Sequence, residues 1–463
     1  GDAPPRPPLS TTGEAMPELI RSKDIFSEAK KLLSGQDENG NPVEKDLDKS
    51  EALLNEILSN NVGNIDIIYV LGSLHLERGN AGLAVQLLSQ VTLAVPQFGE
   101  AWNNLGLAFR GCNDFERAET ACKKAVDLIP HPDLPCNLAG LFINRNRSEE
   151  VIKYADRALA LRPDHIKAKW HKCMGLLEMG RYQEAWPLHE TRLEGGANEN
   201  IVKRNYHGDE ETPMWDGFKD AKVAIHGEQG MGDEIAFASC VPDAIENAEQ
   251  VILEPSPRLE GLFKRSFPQA SVYGTDQVNG ERWIDDLGPP DFKAPLGTLP
   301  MFYRNKKQDF PGKPFLVACD EKRDFWQRKL GALGQRPNVG LAWQGGVQST
   351  RVEVRSFHPR TLHPLFHHDV NWVSLQYDST APENVQEVRN ELGVDIHHWP
   401  KAVSAMDPET GKLSDLDELA ALVSCLDLVI SVPQTAYHIA GGLGVACWVM
   451  CPSEPDWRLG NES

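Results

Sequence analysis

Trp102-Asn103-Asn104-Leu105-Gly106-Leu107-Ala108-Phe109, followed by Ala118, Cys122, Ala125 and Pro130, decides how the first part of this chain is read. Trp102, Leu105 and Phe109 recur at helical spacing and share one face of a helix. Gly106 and Ala118 are small enough to let two consecutive helices approach closely. Pro130 ends the second helix because proline cannot continue the backbone hydrogen-bond ladder. Working outward, Gly72, Ala84 and Pro96 precede this copy, and Gly140, Ala158 and Pro163 follow it. Prolines 96, 130 and 163 step by 34 and then 33 residues. A further copy carries Ala168, Gly180, Tyr182 and Ala185, and a degenerate one covers about residues 25 to 61, including Ala52 and Leu53. A single hairpin of this kind cannot bury its apolar face, so the copies must stack.

In order and spacing the pattern resembles the tetratricopeptide repeat, against the alternative of an ordinary helical bundle with accidental spacing. The expected organisation is a proline-rich, disordered or extended leader over residues 1–24, with Pro4, Pro5, Pro7 and Pro8, then repeats over residues 25–195. Such an array offers an extended concave surface to a protein partner.

At 463 residues the chain is long enough for about three domains. Its 41% hydrophobic and 25% charged residues are globular proportions. The formal charge of −20, with no Lys/Arg cluster, argues against nucleic acid, whose phosphates demand a basic face. It also argues against a polyanionic acceptor or an acidic membrane surface. The longest apolar runs, such as residues 445–451, fall far short of the ~20 residues of a membrane span, and no signal peptide is legible. The nine cysteines are scattered without a Cys-x-x-Cys pair, which suits buried thiols in a reducing cytoplasm better than a disulfide framework or zinc site. These features predict a cytoplasmic chain without a membrane span.

From Lys222 the texture changes to short apolar runs alternating with amphipathic stretches. Strands are expected at residues 222–226, 250–254, 339–343, 372–376, 428–432 and 447–451, and helices at 233–244, 414–425 and 435–442. The alternation predicts parallel, doubly wound sheets. Residues 308–337, rich in charge and proline around one helix, read as a connection between two lobes.

Three loops could carry chemistry. His226-Gly227-Glu228-Gln229-Gly230-Met231-Gly232-Asp233-Glu234 follows a strand and opens a helix, where ligands bind in open α/β sheets. Its glycines let a substrate approach the backbone, although Asp233 alone reads equally as a helix cap. Gly340-Leu341-Ala342-Trp343-Gln344-Gly345-Gly346 leads to Arg351, Arg355 and Ser356. Arginine forks match phosphate oxygens, and the alternative is a solvated basic loop. Pro433-Gln434-Thr435-Ala436-Tyr437-His438 opens a helix after a buried strand, which makes an anion site of backbone N–H groups and the Thr435 hydroxyl. His438, one turn in, could face either ligand or core.

Taken together, residues from about 184 onward resemble the tetratricopeptide-linked glycosyltransferases related to the ADP-heptose:lipopolysaccharide heptosyltransferases. The carrying motifs are residues 227–234, Gly340-Leu341-Ala342-Trp343, Arg355-Ser356, Ser374-Leu375-Gln376, Asp427 through Gly444, and Pro455-Asp456-Trp457-Arg458. Pro213-x-Trp215-Asp216-Gly217 also fits. The resemblance implies an inverting transferase of the two-lobed glycosyltransferase-B (double Rossmann-like) fold. Its acceptor-side lobe would span residues 196–320 and its donor lobe 321–463. It implies Asp233 as catalytic base and a donor site of Arg355, Ser356, Gln376, Gln434, Thr435, Ala436 and His438. Gln229, Gly230, Gly232 and Trp343 would form substrate loops. The implied partners are a nucleotide-sugar donor and a glycan or protein acceptor, with no cofactor and no metal. Asp46/Asp48 and Asp415/Asp417 read as helix-start caps rather than metal ligands. Two departures stand out: relatives carry Asp-Thr where this chain has Gln434-Thr435, and relatives usually continue beyond Trp457-Arg458. A protein O-linked N-acetylglucosamine transferase is a further reading, but its His-Thr-Thr donor motif is absent. A non-catalytic repeat scaffold with a vestigial transferase fold is the reading from another class.

Overall fold

The computed structural model describes residues 15–37, 39–60, 63–143, 145–194, 204–207, 210–217, 220–275, 283–346, 352–406, 411, 414–452 and 457–459. Arg351, Pro455, Asp456 and the first fourteen residues of the expected leader lie outside these. The chain divides into two compact units, Gly1–Ile143 with Arg147–Lys172, and Asn144–Asn146 with Cys173–Ser463.

The first unit is helical. Its helices are α1 (Ala15–Ser34), α2 (Leu47–Asn60), α3 (Ile65–Glu77), α4 (Ala81–Ala94), α5 (Gly99–Gly111), α6 (Phe115–Leu128), α7 (Asp133–Phe142), α8 (Ser148–Leu161) and the start of α9 (Ile166–Glu178). Each odd helix packs on the following even one, from α1 with α2 to α7 with α8. Helices α4, α6 and α8 each end two residues before Pro96, Pro130 and Pro163, where the chain can no longer extend an α-helical ladder. Gly106 is required by packing, since a Cβ there would stand 2.4 Å from Cys122 Sγ of α6. Gly72 answers Leu88 in the same way, at 2.8 Å. The array is therefore repeat-like in its contacts as well as its spacing. Helix α1 makes residues 15–24 of the expected leader helical. Pro17 stands in its first turn, where the missing N–H costs nothing.

In the second unit α9 continues into α10 (Tyr182–His189) and a short 3-10 turn, Glu190–Glu194. Strands β1 (Lys222–His226), β2 (Gln250–Glu254), β3 (Ser271–Val272) and β4 (Phe292–Pro295) form an all-parallel sheet in the order β3-β2-β1-β4. Its helices are α11 (Met231–Ala238), α12 (Val241–Asn247), α13 (Glu260–Ser266), α14 (Ile284–Leu287) and α15 (Leu299–Tyr303). The single helix expected over 233–244 is two helices, because Pro242 can serve only at a helix start.

After α16 (Asp320–Gly331), strands β5 (Asn338–Ala342), β6 (Asn371–Ser374), β7 (Ile396–His398), β8 (Leu428–Ser431) and β9 (Cys447–Val449) form a second parallel sheet, ordered β7-β6-β5-β8-β9. It carries α17 (Ala381–Leu392), α18 (Pro400–Val403), α19 (Asp417–Val423) and α20 (Thr435–Leu443). Phe315 and Leu316 donate their N–H groups to Gly442 O, and α16 packs on α19, so the expected connection docks onto this second sheet's helices. All nine cysteines are free. Burial pushes the Cys122 and Cys136 thiols up to about 11 and those of Cys173 and Cys240 to about 12, which makes them inert structural groups. No helix of the described residues is long and apolar enough to cross a membrane.

Candidate functional site

Both sheets reverse strand order at their first strand: β1 lies between β2 and β4, and β5 between β6 and β8. Such a reversal opens a crevice at the carboxyl ends of the strands, because the connections leave toward opposite faces. Residues 227–230 and 296–298 flank the first crevice, and residues 343–346 and 432–434 flank the second. Helices α11 and α20, which start from these loops, pack on one another.

The first loop is held by buried charge. Glu228 is 6% exposed and accepts from Arg192 Nε at 3.0 Å and Gly297 N at 3.1 Å. Arg192 also donates to Thr298 Oγ1 at 2.9 Å and to the His189 carbonyl at 3.1 Å. One guanidinium from the 3-10 turn thus ties together the loops after β1 and β4. Gly297 must lack a side chain, since its Cβ would lie 2.3 Å from Glu228 Oε1. Gln229 donates to the same carboxylate at 3.2 Å, so this expected substrate-loop residue braces the loop. Gly230 is the N-cap of α11, which puts Asp233 inside the first turn rather than at the cap. The cap reading of Asp233 is thereby replaced. Its carboxylate pairs with Arg458 Nη2 at 2.8 Å and is one-third exposed. Arg458 itself stacks over Trp457 and Phe237 at 4.6 and 5.6 Å.

Glu234 lies behind Asp233. It is 5% exposed, accepts from Ser256 N at 2.9 Å, and abuts Gly227. Burial pushes its carboxyl up to about 7, with the charges of Asp233 and Glu228 adding to the effect. His226 is the opposite case: burial holds its imidazole down at about 3, so it stays neutral.

In the second sheet, Gln376 is fully buried. Its Oε1 accepts from Trp343 N and Gln344 N at 3.0 Å each, while its Nε2 donates to Gln344 O at 3.1 Å and to Asp378. It shapes the turn after β5, and the expectation that it touches a ligand is corrected. Trp343 and Ala436 are likewise buried in apolar clusters, which removes both side chains from the ligand-facing set. Ser356 Oγ accepts from Gly345 N at 3.2 Å. Arg355 Nη2 donates to the Pro433 carbonyl at 2.6 Å, which brings its charge to the loop that opens α20.

Gln434 is the N-cap of α20, and Thr435 is its first helical residue. Across from them a Cβ on Gly232 would lie 3.2 Å from His438 Cδ2 and 3.9 Å from Thr435 Oγ1. The structure thus brings Gly232, Asp233, Thr435, His438 and Arg458 together, with Arg355 and Gln434 on the same α20 mouth. It keeps Gln376, Trp343 and Ala436 in the interior.

Arg192, Glu234 and the Asp233–Arg458 pair were not assigned by sequence reasoning. Glu234 and Arg458 sit inside the quoted motifs, whereas nothing local marks Arg192: it pairs with the neighbouring Glu190, but the partners through which it joins the two loops are 36 and 106 positions away. Of the Asp-x-Asp pairs, Asp46 caps α2 through Lys49 N, and Asp415 accepts from Asp417 N. Asp48 and Asp417 instead pair with Arg78 and Arg265. Among the described residues no group of three or more His, Cys, Asp or Glu is placed to hold a metal ion.

Comparison with known proteins assigns residues 99–132 to the tetratricopeptide repeat. Protein FlbA of Caulobacter vibrioides is 26% identical across 85% of this chain and 72% of its own length. The peroxisomal targeting signal receptor of Kluyveromyces lactis is 33% identical over 98 residues, 21% of this chain and 17% of the receptor. Among solved structures, MamA is 19% identical with a TM-score of 0.30, covering 32% of this chain and 88% of MamA. A thermophilic TPR protein of Thermus thermophilus is 18% identical with a TM-score of 0.31, covering 37% of this chain and 90% of that one. The chain carries a tetratricopeptide repeat at residues 99–132 within its helical array, with two parallel sheets after it.

Proposed function

We propose that the second unit is a glycosyltransferase of the glycosyltransferase-B type, inverting and heptosyltransferase-like, taking a nucleotide-diphosphate sugar. The observation that supports this best is the pair of helix mouths, α11 and α20, meeting at Gly232, Thr435 and His438 with an aspartate on one side and an arginine on the other. In this reading Asp233 removes the proton of an acceptor hydroxyl. The hydroxyl oxygen attacks the anomeric carbon, and the sugar–phosphate bond breaks on the opposite face. The departing diphosphate is met by the first-turn N–H groups of α20 and by Arg355. Arg458 orients the Asp233 carboxylate and parts from it when the acceptor enters. The repeats hold the acceptor, a glycan or a protein, since such arrays offer an extended concave surface.

A donor-hydrolysis and transfer assay with parent and Asp233→Asn tests it. The variant should fold normally and turn over at least about 100-fold more slowly. Equal turnover would leave Asp233 as the partner of Arg458 and nothing more. A second reading, a non-catalytic tetratricopeptide scaffold, draws support from the same site: Asp233 is already ion-paired and Arg355 already bonded to Pro433 O. Under it neither protein hydrolyses any donor.

A further inference from the structure

Gln434 does not do what an N-cap residue ordinarily does. Cap side chains accept from the N–H groups of the first turn, but Gln434 makes no such bond and its backbone is fully extended, with φ −159° and ψ −179°. The residue is 9% exposed, and among the described residues its Nε2 has no hydrogen-bond partner. A buried amide N–H left without an acceptor costs about 1–3 kcal/mol, and an acceptor brought by a ligand into the crevice would remove that cost.

The surroundings say what that group is. The side chain leaves the backbone at the mouth of a nine-residue helix, where first-turn N–H groups favour negative charge. Gly345 walls the near side, since its Cβ would lie 2.6 Å from Pro433 O and 3.0 Å from Gln434 Cβ. The Arg355 guanidinium bonds that same Pro433 carbonyl. The Arg355 guanidinium and the Gln434 Nε2 are donors here, and the Thr435 hydroxyl can donate or accept.

We propose that Gln434 Nε2, together with the α20 mouth, binds an oxyanion, and that this residue sets the ligand class: a phosphoryl oxygen of the donor or a carboxylate on its sugar. A carboxylate side chain at this position would instead seek a hydroxyl. The inference rests on the transferase reading for what carries the oxyanion, but the anion site can be tested without it.

The experiment measures binding by calorimetry for the parent, the isosteric Gln434→Glu, and Gln434→Met. Probes are inorganic pyrophosphate, a panel of nucleoside diphosphates, and UDP-glucose against UDP-glucuronate. The Glu variant should weaken its anionic ligand at least about tenfold, the scale of losing a charge-assisted bond. The Met variant should weaken it less while being at least as thermally stable as the parent, since it removes the unpartnered donor, and this controls for folding. A loss across all phosphates assigns the phosphoryl oxygen; a loss confined to UDP-glucuronate assigns the sugar carboxylate. Binding unchanged within about twofold in both variants, well under the tenfold expected for a charge-assisted bond, overturns the inference and leaves the transferase reading standing. Pyrophosphate bound and then lost in the Glu variant, with no sugar nucleotide bound, keeps the anion site and removes the transferase. Absence of binding by the parent to every probe removes both.

Discussion

Glu234→Gln should stabilise the protein above neutral pH and flatten its pH dependence. Glu234 is 5% exposed, the Ser256 N–H donates to it at 2.9 Å, and Gly227 closes over it, a Cβ there being 2.6 Å from the carboxyl carbon. Burial, with the nearby charges of Asp233 and Glu228, raises its carboxyl from 4.5 to about 7. At about 1.4 kcal/mol per pH unit, ionising it in the folded state costs on the order of 3 kcal/mol relative to the unfolded chain. The sign follows from proton binding. Between pH 4.5 and about 7 the folded protein holds this proton and the unfolded chain has released it, so raising the pH favours unfolding. The stability is fully present below 4.5, declines up to about 7, and is flat above. A glutamine keeps an oxygen for Ser256 N and carries no charge, so this slope should vanish. Urea titrations of both proteins at pH 5, 6, 7, 8 and 9 measure it. The variant's advantage should grow to about 3 kcal/mol by about pH 8 and then stay constant. Parallel stability curves across that range would refute the account of Glu234 as a buried carboxyl that titrates near neutrality.

Gly106→Ala should destabilise the repeat unit by about 1–3 kcal/mol in urea titration despite the better helix propensity of alanine. The reason is the 2.4 Å approach to Cys122 Sγ, and adding Cys122→Ala should recover part of the loss. Arg192→Met should cost about 3–5 kcal/mol because it strands the buried Glu228 carboxylate, and Glu228→Gln in the same chain should restore much of it. A single-variant cost equal to that of the double variant would count against the pairing. Arg355→Ala should weaken nucleoside-diphosphate binding by about 1.5–3 kcal/mol in calorimetry; equal affinity would rule the residue out as a phosphate ligand.

The repeat array was legible because its rules are local. Helical spacing around Trp102, a glycine that admits Cys122, and prolines that end helices at a fixed period all act within a few tens of residues. Strands β1 and β2 were legible to the residue because buried parallel strands read as apolar runs. Strands β3, β4 and β7 were not. They are two to four residues long, and Phe292–Pro295 and Ile396–His398 carry polar residues or proline, so only pairing with a neighbour makes them strands. The loop motifs were visible as glycines after strands, yet which side chains face a ligand was not. Gln376 and Trp343 looked like site residues and are interior, because the turn after β5 needs an acceptor for two backbone N–H groups. Arg192 looked like nothing and ties together two loops. Periodicity and turn chemistry depend on neighbours along the chain, so sequence alone determined the repeats, the apolar strands and the crevice loops. Burial and hydrogen-bond pairing depend on neighbours in space, so only the tertiary structure could decide that Glu228 has its cation, that Asp233 faces Arg458, and that, among the described residues, Gln434 has a donor without a protein acceptor.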